Sequence, residues 1–298
     1  MSEPRAPRTR TGKRGRVTRT ALVTGANQGL GLALVAGLAD GLGRSGTVYL
    51  TGRDPQRVAA AAREVHAAGL HVLFERLDVS RSADVSRLAA LIGERHGRID
   101  IVISNAAARI TPDRPQAEQV AAFVDTNNLG TTRMIRAFAP LLAPGGRFLI
   151  VASAFGSLRN LPPQLHDRFD ARSLSLDDLD ASMAEYAAAV ESGRAPADGW
   201  PEWVNIPSKV GQVAAMRVMA REQAELAQSD DRFVAAVCPG LVDTEASRPW
   251  FADMSQAQTP AEAAVDILAL ALDPVDRSFY GELVQHRRIL PWELIGNR

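Results

Sequence analysis

Apolar residues along this chain gather in short runs that alternate with segments of helical period. Ala21, Leu22 and Val23 form the first run, which closes on Thr24-Gly25. A turn bearing Gly25, Gly29 and Gly31 follows, and then Leu30, Leu34 and Leu38 recur on one helix face. The alternation continues. Residues 47–51 (TVYLT) predict a strand and 58–66 a helix. Residues 70–77 (LHVLFERL) predict a strand, 83–95 a helix, 99–104 (IDIVIS) a strand and 119–142 a long helix. Strands at 147–152 and 233–237, a helix at 261–272 and a last strand near 282–285 complete the series. Strands joined by helical crossovers imply a parallel sheet with helices on both faces. Right-handed crossovers then give an α/β doubly wound parallel sheet, the Rossmann arrangement, with ligands at the carboxyl ends of the strands. No internal repeat is visible, so residues 19–298 read as a single domain.

One segment breaks the rhythm. Residues 155–204 stand where a short crossover is expected, before the sixth strand, and hold an acidic helical stretch at 176–191 (LDDLDASMAEYAAAVE). A segment of this length inside a compact domain is usually functional or has structure of its own. It reads either as a surface decoration or as a lid over a substrate.

Composition narrows the picture. A chain of 298 residues with 46% hydrophobic and 23% charged residues buries a large core. It has no apolar run of membrane-spanning length and no signal peptide with an apolar middle, which predicts a cytoplasmic protein. One cysteine, Cys238, excludes an internal disulfide and fits a reducing compartment. Five scattered histidines offer no metal cluster. The net charge of zero hides a basic arm at residues 1–18, rich in Arg, Thr, Pro and Gly. It reads as a disordered tail, since no aromatic residue or amphipathic period supports nucleic-acid binding or targeting.

The glycine turn carries chemistry. A pyrophosphate lies on a helix N-terminus only where the backbone comes close, and a Cβ would block that approach. Asn27, Gln28 and Leu30 complete the turn around Gly25, Gly29 and Gly31. Arg53 follows the second strand, where an acid would bind free ribose hydroxyls and an arginine accommodates a 2′-phosphate. That predicts NADP(H). Of 34 basic residues only Lys13 and Lys209 are lysines, so a lysine at 209 answers to a need for a compact ammonium.

The spacing Thr24-Gly25-x-x-x-Gly29-x-Gly31 resembles that of the short-chain dehydrogenase/reductase family. The resemblance runs over most of 21–244. It implies that Asp78 and Val79 lie near the adenine and that Asn105, in Asn105-Ala106-Ala107, lies beside the cofactor. It implies that Asn127 supports the active site, with Asn128 its neighbour and competitor. Ser153 takes the place of the serine that hydrogen-bonds the reacting carbonyl. Pro239, Gly240, Val242 and Thr244 match the segment that holds the nicotinamide, and Lys209 matches the lysine of Tyr-x-x-x-Lys. The tyrosine is absent: Asn205 stands in its place, where it also reads as a helix N-cap with Pro207 in the first turn.

Within the family the chain resembles monomeric carbonyl reductases. The insert, Val23–Gly29 and Gly199-Trp200-Pro201 carry that likeness and fix the alignment at Asn205. It implies an NADP-dependent oxidoreductase with an atypical site, acting on a small carbonyl, imine or conjugated compound. It also implies a monomer, the insert covering the surface by which many members pair. The proton would come from a water near Lys209 and Asn127, or from Tyr186 or His166 of the insert. A non-redox enzyme and a silent NADP-binding regulatory or partner protein are the other classes this fold admits.

Overall fold

The computed structural model describes residues 18–293. Apart from Thr18, the basic arm expected at 1–18 lies outside the described residues. The chain runs β1 (Thr20–Val23), α1 (Gly29–Leu42), β2 (Thr47–Gly52), α2 (Pro55–Ala67), β3 (Leu73–Arg76), α3 (Ser82–His96) and β4 (Ile99–Ser104). Next come α4 (Val120–Val124), α5 (Gly130–Phe138), β5 (Leu142–Val151), α6 (Leu176–Glu191), α7 (Asn205–Glu222) and α8 (Ala224–Ser229). β6 (Phe233–Val237), α9 (Pro260–Leu272), β7 (Leu283–Gln285) and β8 (Arg288–Leu290) follow. The strands form one eight-stranded sheet in the order β3-β2-β1-β4-β5-β6-β7-β8, parallel except for the last pair.

Both faces of the sheet are covered, which is why its strands read as nearly unbroken apolar runs. Alternate side chains enter two cores. Ala21 and Val23 pack with α1, α2 and α9, while Leu22 packs with the core that includes α3, α5 and α7. Strand order reverses between β1 and β4, so the crevice opens at their carboxyl ends.

Three expectations are corrected. The strand at 70–77 shortens to β3, the sheet edge, where Leu73 and Phe74 are exposed. The helix expected over 119–142 is α4, a π turn over Asp125–Leu129, and α5, with Leu142 already in β5. Ala139 still has helical geometry (φ −59°, ψ −41°), and α5 gives out there because Pro140 has no N–H to continue the ladder. β8 has no counterpart in the sequence reading, because its hairpin turns on His286 and Arg287, both at positive φ (48° and 58°) without a glycine.

Within the insert, Ser175 and Asp178 form a capping box at the start of α6. Leu176, Leu179, Met183 and Tyr186 are buried as α6 packs against α4 and α7. The segment is thus an added structural layer. Among the described residues no helix is long and apolar enough to cross a membrane.

Candidate active site

The turn after β1 is pinned from both sides. Thr24 N–H donates to Ile103 O at 3.1 Å and Ala26 N–H to Thr51 O at 2.7 Å. Asn105 Nδ2 donates to Thr24 O at 2.9 Å and to Gly25 O at 3.2 Å, so its amide shapes the turn. A Cβ on Gly31 would meet Gly25 O at 2.4 Å, and one on Gly25 would meet Ala106 Cα at 2.7 Å. The first turn of α1 has no side-chain cap and no acid, so its N–H groups are available to an anion. Thr244 stands across from this turn, its methyl 3.4 Å from where a Gly29 Cβ would sit. This cradle fits a pyrophosphate.

Arg53 is exposed just beyond β2. Its neighbour Asp54 caps α2, accepting from Gln56 N–H at 2.9 Å and Arg57 N–H at 3.2 Å. That carboxylate is therefore engaged by the helix. Arg57, which the sequence reading passed over, donates to Gln28 Oε1 and adds a second guanidinium here. Only its spacing of four from Arg53 could have signalled it. Asn27 lies against Gly52. Asp78 accepts from Ser80 Oγ at 2.7 Å, and Val79 is buried against Gly130.

Beside the cradle lies a pocket of about 450 Å³. Ser153, Asn127, Asn205 and Lys209 all line it, as do Leu30, Pro239, Gly240, Val242 and Thr244. Ser153 Oγ accepts from Phe155 N–H at 3.3 Å, which leaves its own proton free. The π turn carries Asn127, whose Oδ1 accepts from Ala108 N–H at 2.7 Å; such turns often occur at functional sites. Asn128 faces away and bonds Ser208 twice, donating to its carbonyl and accepting from its hydroxyl at 2.8 Å each. Of the two asparagines, Asn127 lines the pocket and Asn128 does not.

Lys209 donates to Gln212 Oε1 at 2.8 Å. Burial lowers its pKa to about 8, against a smaller upward pull from Cys238. Burial pushes the Cys238 thiol up, while the Gly240 and Ala154 N–H groups and Lys209 favour its thiolate.

Asn205 is not the N-cap expected of it. Val204 holds that position in helical geometry, Asn205 is the first residue of α7, and its side chain makes no hydrogen bond among the described residues. It lies one helical turn from Lys209, on the same face. The two insert side chains considered as proton sources are elsewhere. Tyr186 is fully buried 4.6 Å from the Trp200 ring, and burial raises its pKa. His166 Nε2 bonds Leu161 O at 3.0 Å and does not line the pocket.

Nor is the insert a lid, since only Phe155 and Trp203, near its ends, reach the pocket. The aromatic wall instead joins these to Trp250 from the β6–α9 connection. The Phe155–Trp203 rings are 5.0 Å apart and the Trp203–Trp250 rings 5.9 Å apart. Trp250 Nε1 donates to Ile110 O at 3.2 Å, tying that connection over the site. Arg109 and Glu245 pair at the rim at 3.2 Å. The sequence carried no signal for this wall, because its parts lie far apart in the chain.

Residues 19–162 match the family described as short chain dehydrogenase. Carbonyl reductase (NADPH) 1 of Homo sapiens is 30% identical over 277 residues, covering 91% of this chain and 98% of that protein. Carbonyl reductase (NADPH) 3 of Rattus norvegicus is 31% identical over 280 residues, covering 92% and 99%. The solved structure of salutaridine reductase from Papaver somniferum superposes with a TM-score of 0.74 at 24% identity, over 89% of this chain and 99% of that one. It shares the fold.

Proposed function

The chain belongs to the short chain dehydrogenase family, and we propose that it is an NADP(H)-dependent oxidoreductase of the carbonyl-reductase kind, working without a tyrosine acid. The observation that carries this reading is the meeting of Ser153, Asn127, Lys209 and Thr244 in one pocket beside the glycine cradle. The carbonyl reductases it resembles are named for NADPH.

Gly25, Asn27, Gln28, Gly29 and Gly31 would hold the pyrophosphate, and Arg53 with Arg57 the 2′-phosphate. Asp78, Val79 and Asn105 would flank the adenosine half. Lys209 would hold the nicotinamide ribose, and Pro239, Gly240, Val242 and Thr244 the carboxamide side. When bound, the reduced nicotinamide supplies a hydride.

Ser153, with a free hydroxyl proton, would donate to the substrate oxygen. Asn127 holds the pocket wall through Ala108. Asn205 is an amide, with no proton to give at neutral pH. The aromatic wall suits a flat apolar carbonyl, imine or conjugated compound. Since α6 covers α4 and α7, the protein would be a monomer.

The test pairs calorimetry of NADPH and NADH with NADPH consumption on quinones, dicarbonyls, enones and imines. Preferential NADPH binding with turnover supports the reading. Asn205 favours a second reading, a silent NADP-binding protein, and NADPH binding without turnover on any of these would establish it.

A further inference from the structure

We propose that Lys209 is itself the acid that protonates the reduced substrate oxygen, with Gln212 as the residue that positions its ammonium. This rests on the reductase reading above. Three side chains lining the pocket are titratable: Arg109, Cys238 and Lys209. Arg109 is held at the rim by Glu245, and a guanidinium does not release its proton. Cys238 also lines the pocket, but burial, the largest influence on it, pushes its thiol up and makes it the poorer acid. Lys209 is left, one turn from the unbonded amide of Asn205 and in the same pocket as Ser153.

The hydrogen bonds around Lys209 have a single consistent direction. Thr131 Oγ1 donates to Asn127 O at 2.7 Å, and a carbonyl only accepts. Thr131 Oγ1 must then accept from Gln212 Nε2, at 3.2 Å. That turns Gln212 Oε1 toward Lys209 Nζ, at 2.8 Å, where it accepts. Gln212 therefore grips one N–H of the ammonium and leaves the others free.

A bound reduced nicotinamide would supply the hydride of the new C–H bond and be left oxidised. The C=O π pair moves to oxygen, and an Lys209 N–H bond breaks as the O–H bond forms. The neutral amine regains a proton from solvent. Burial makes that proton easier to release, and the lowered pKa of Lys209 agrees.

Other charges near α7 are engaged elsewhere. Arg133 pairs with Asp125, and Arg136 with Asp177 and Asp180. Among the described residues, only Cys238 acts on Lys209 by charge.

The chain has two lysines, so ¹³Cε-lysine labelling gives two signals, and Lys13→Arg assigns them. We expect the Lys209 signal to titrate near 8. Gln212→Leu, removing an acceptor of the ammonium, lowers that pKa by about one unit, and Gln212→Glu raises it by at least as much. The fall of kcat/KM at high pH, for reduction of a small aromatic aldehyde, moves with the signal in both variants and survives Cys238→Ala. Turnover with no such fall, a fall that ignores both Gln212 variants, or one that vanishes in Cys238→Ala overturns the inference alone. A Lys209 signal titrating at the ordinary lysine value does the same. No turnover at any pH by protein that binds NADPH overturns the reductase reading, and this inference with it.

Discussion

Arg53 and Asn205 each set one half of the proposed chemistry. A charged hydrogen bond to a 2′-phosphate contributes about 1.5–3 kcal/mol, so Arg53→Ala should cost roughly ten- to a hundredfold in NADPH affinity and leave NADH binding unchanged. Calorimetry reads this directly, and Arg57→Ala should add to it. The proposed role of Arg53 was legible in the sequence because it follows the second strand, where this fold places the adenine ribose. Arg57 was not, since its role depends on the side chain of Gln28 reaching it across the turn. The proposed replacement at Asn205 was equally legible, because Gly199-Trp200-Pro201 anchors the count to Lys209. The surroundings of Asn205 were not: helix entry falls on Val204, and a local capping preference gave way to the packing of Pro207 and Ser208 into the core.

At the scale of elements, the glycine turn and α6 make opposite predictions. Gly31→Ala puts a Cβ 2.4 Å from Gly25 O, so the turn must open. NADPH binding should then be lost before the fold is, as seen by calorimetry beside circular dichroism. Ser175→Ala removes the cap of α6 and should cost about 1 kcal/mol of stability. It should lower Tm while leaving KM for NADPH and substrate unchanged, since α6 does not line the pocket. A raised KM would return the insert to the role of a lid. α6 was visible in the sequence at its true bounds because capping and periodicity are local. The long helix before β5 was misjudged because the π turn that presents Asn127 keeps helical composition while shifting the register. The turn brings Asn127 to the pocket, and only its contacts with Ala108 and Thr131 reveal it.

For the whole molecule, alternating runs and crossovers were enough to read the sheet, since every central strand is buried on both faces. The substrate wall was not readable, since Phe155, Trp203 and Trp250 meet only once the chain has closed. Light scattering at micromolar concentration should find a monomer, because α6 occupies the outer faces of α4 and α7; a stable dimer would contradict that. The central claim is that this is a reductase whose defect lies in proton delivery, with hydride geometry intact. A positioned acid contributes ~10²–10⁴ in rate, or roughly 3–5 kcal/mol. The most direct test measures NADPH-dependent reduction of a small aromatic aldehyde by wild type, Asn205→Tyr and Asn205→Tyr/Pro207→Val, with NADPH affinity measured alongside. The account predicts slow turnover by wild type, equal NADPH affinity in all three, and a gain of up to about that size in one of the variants. Fast reduction by wild type, or no turnover in any of the three despite tight NADPH binding, would contradict it.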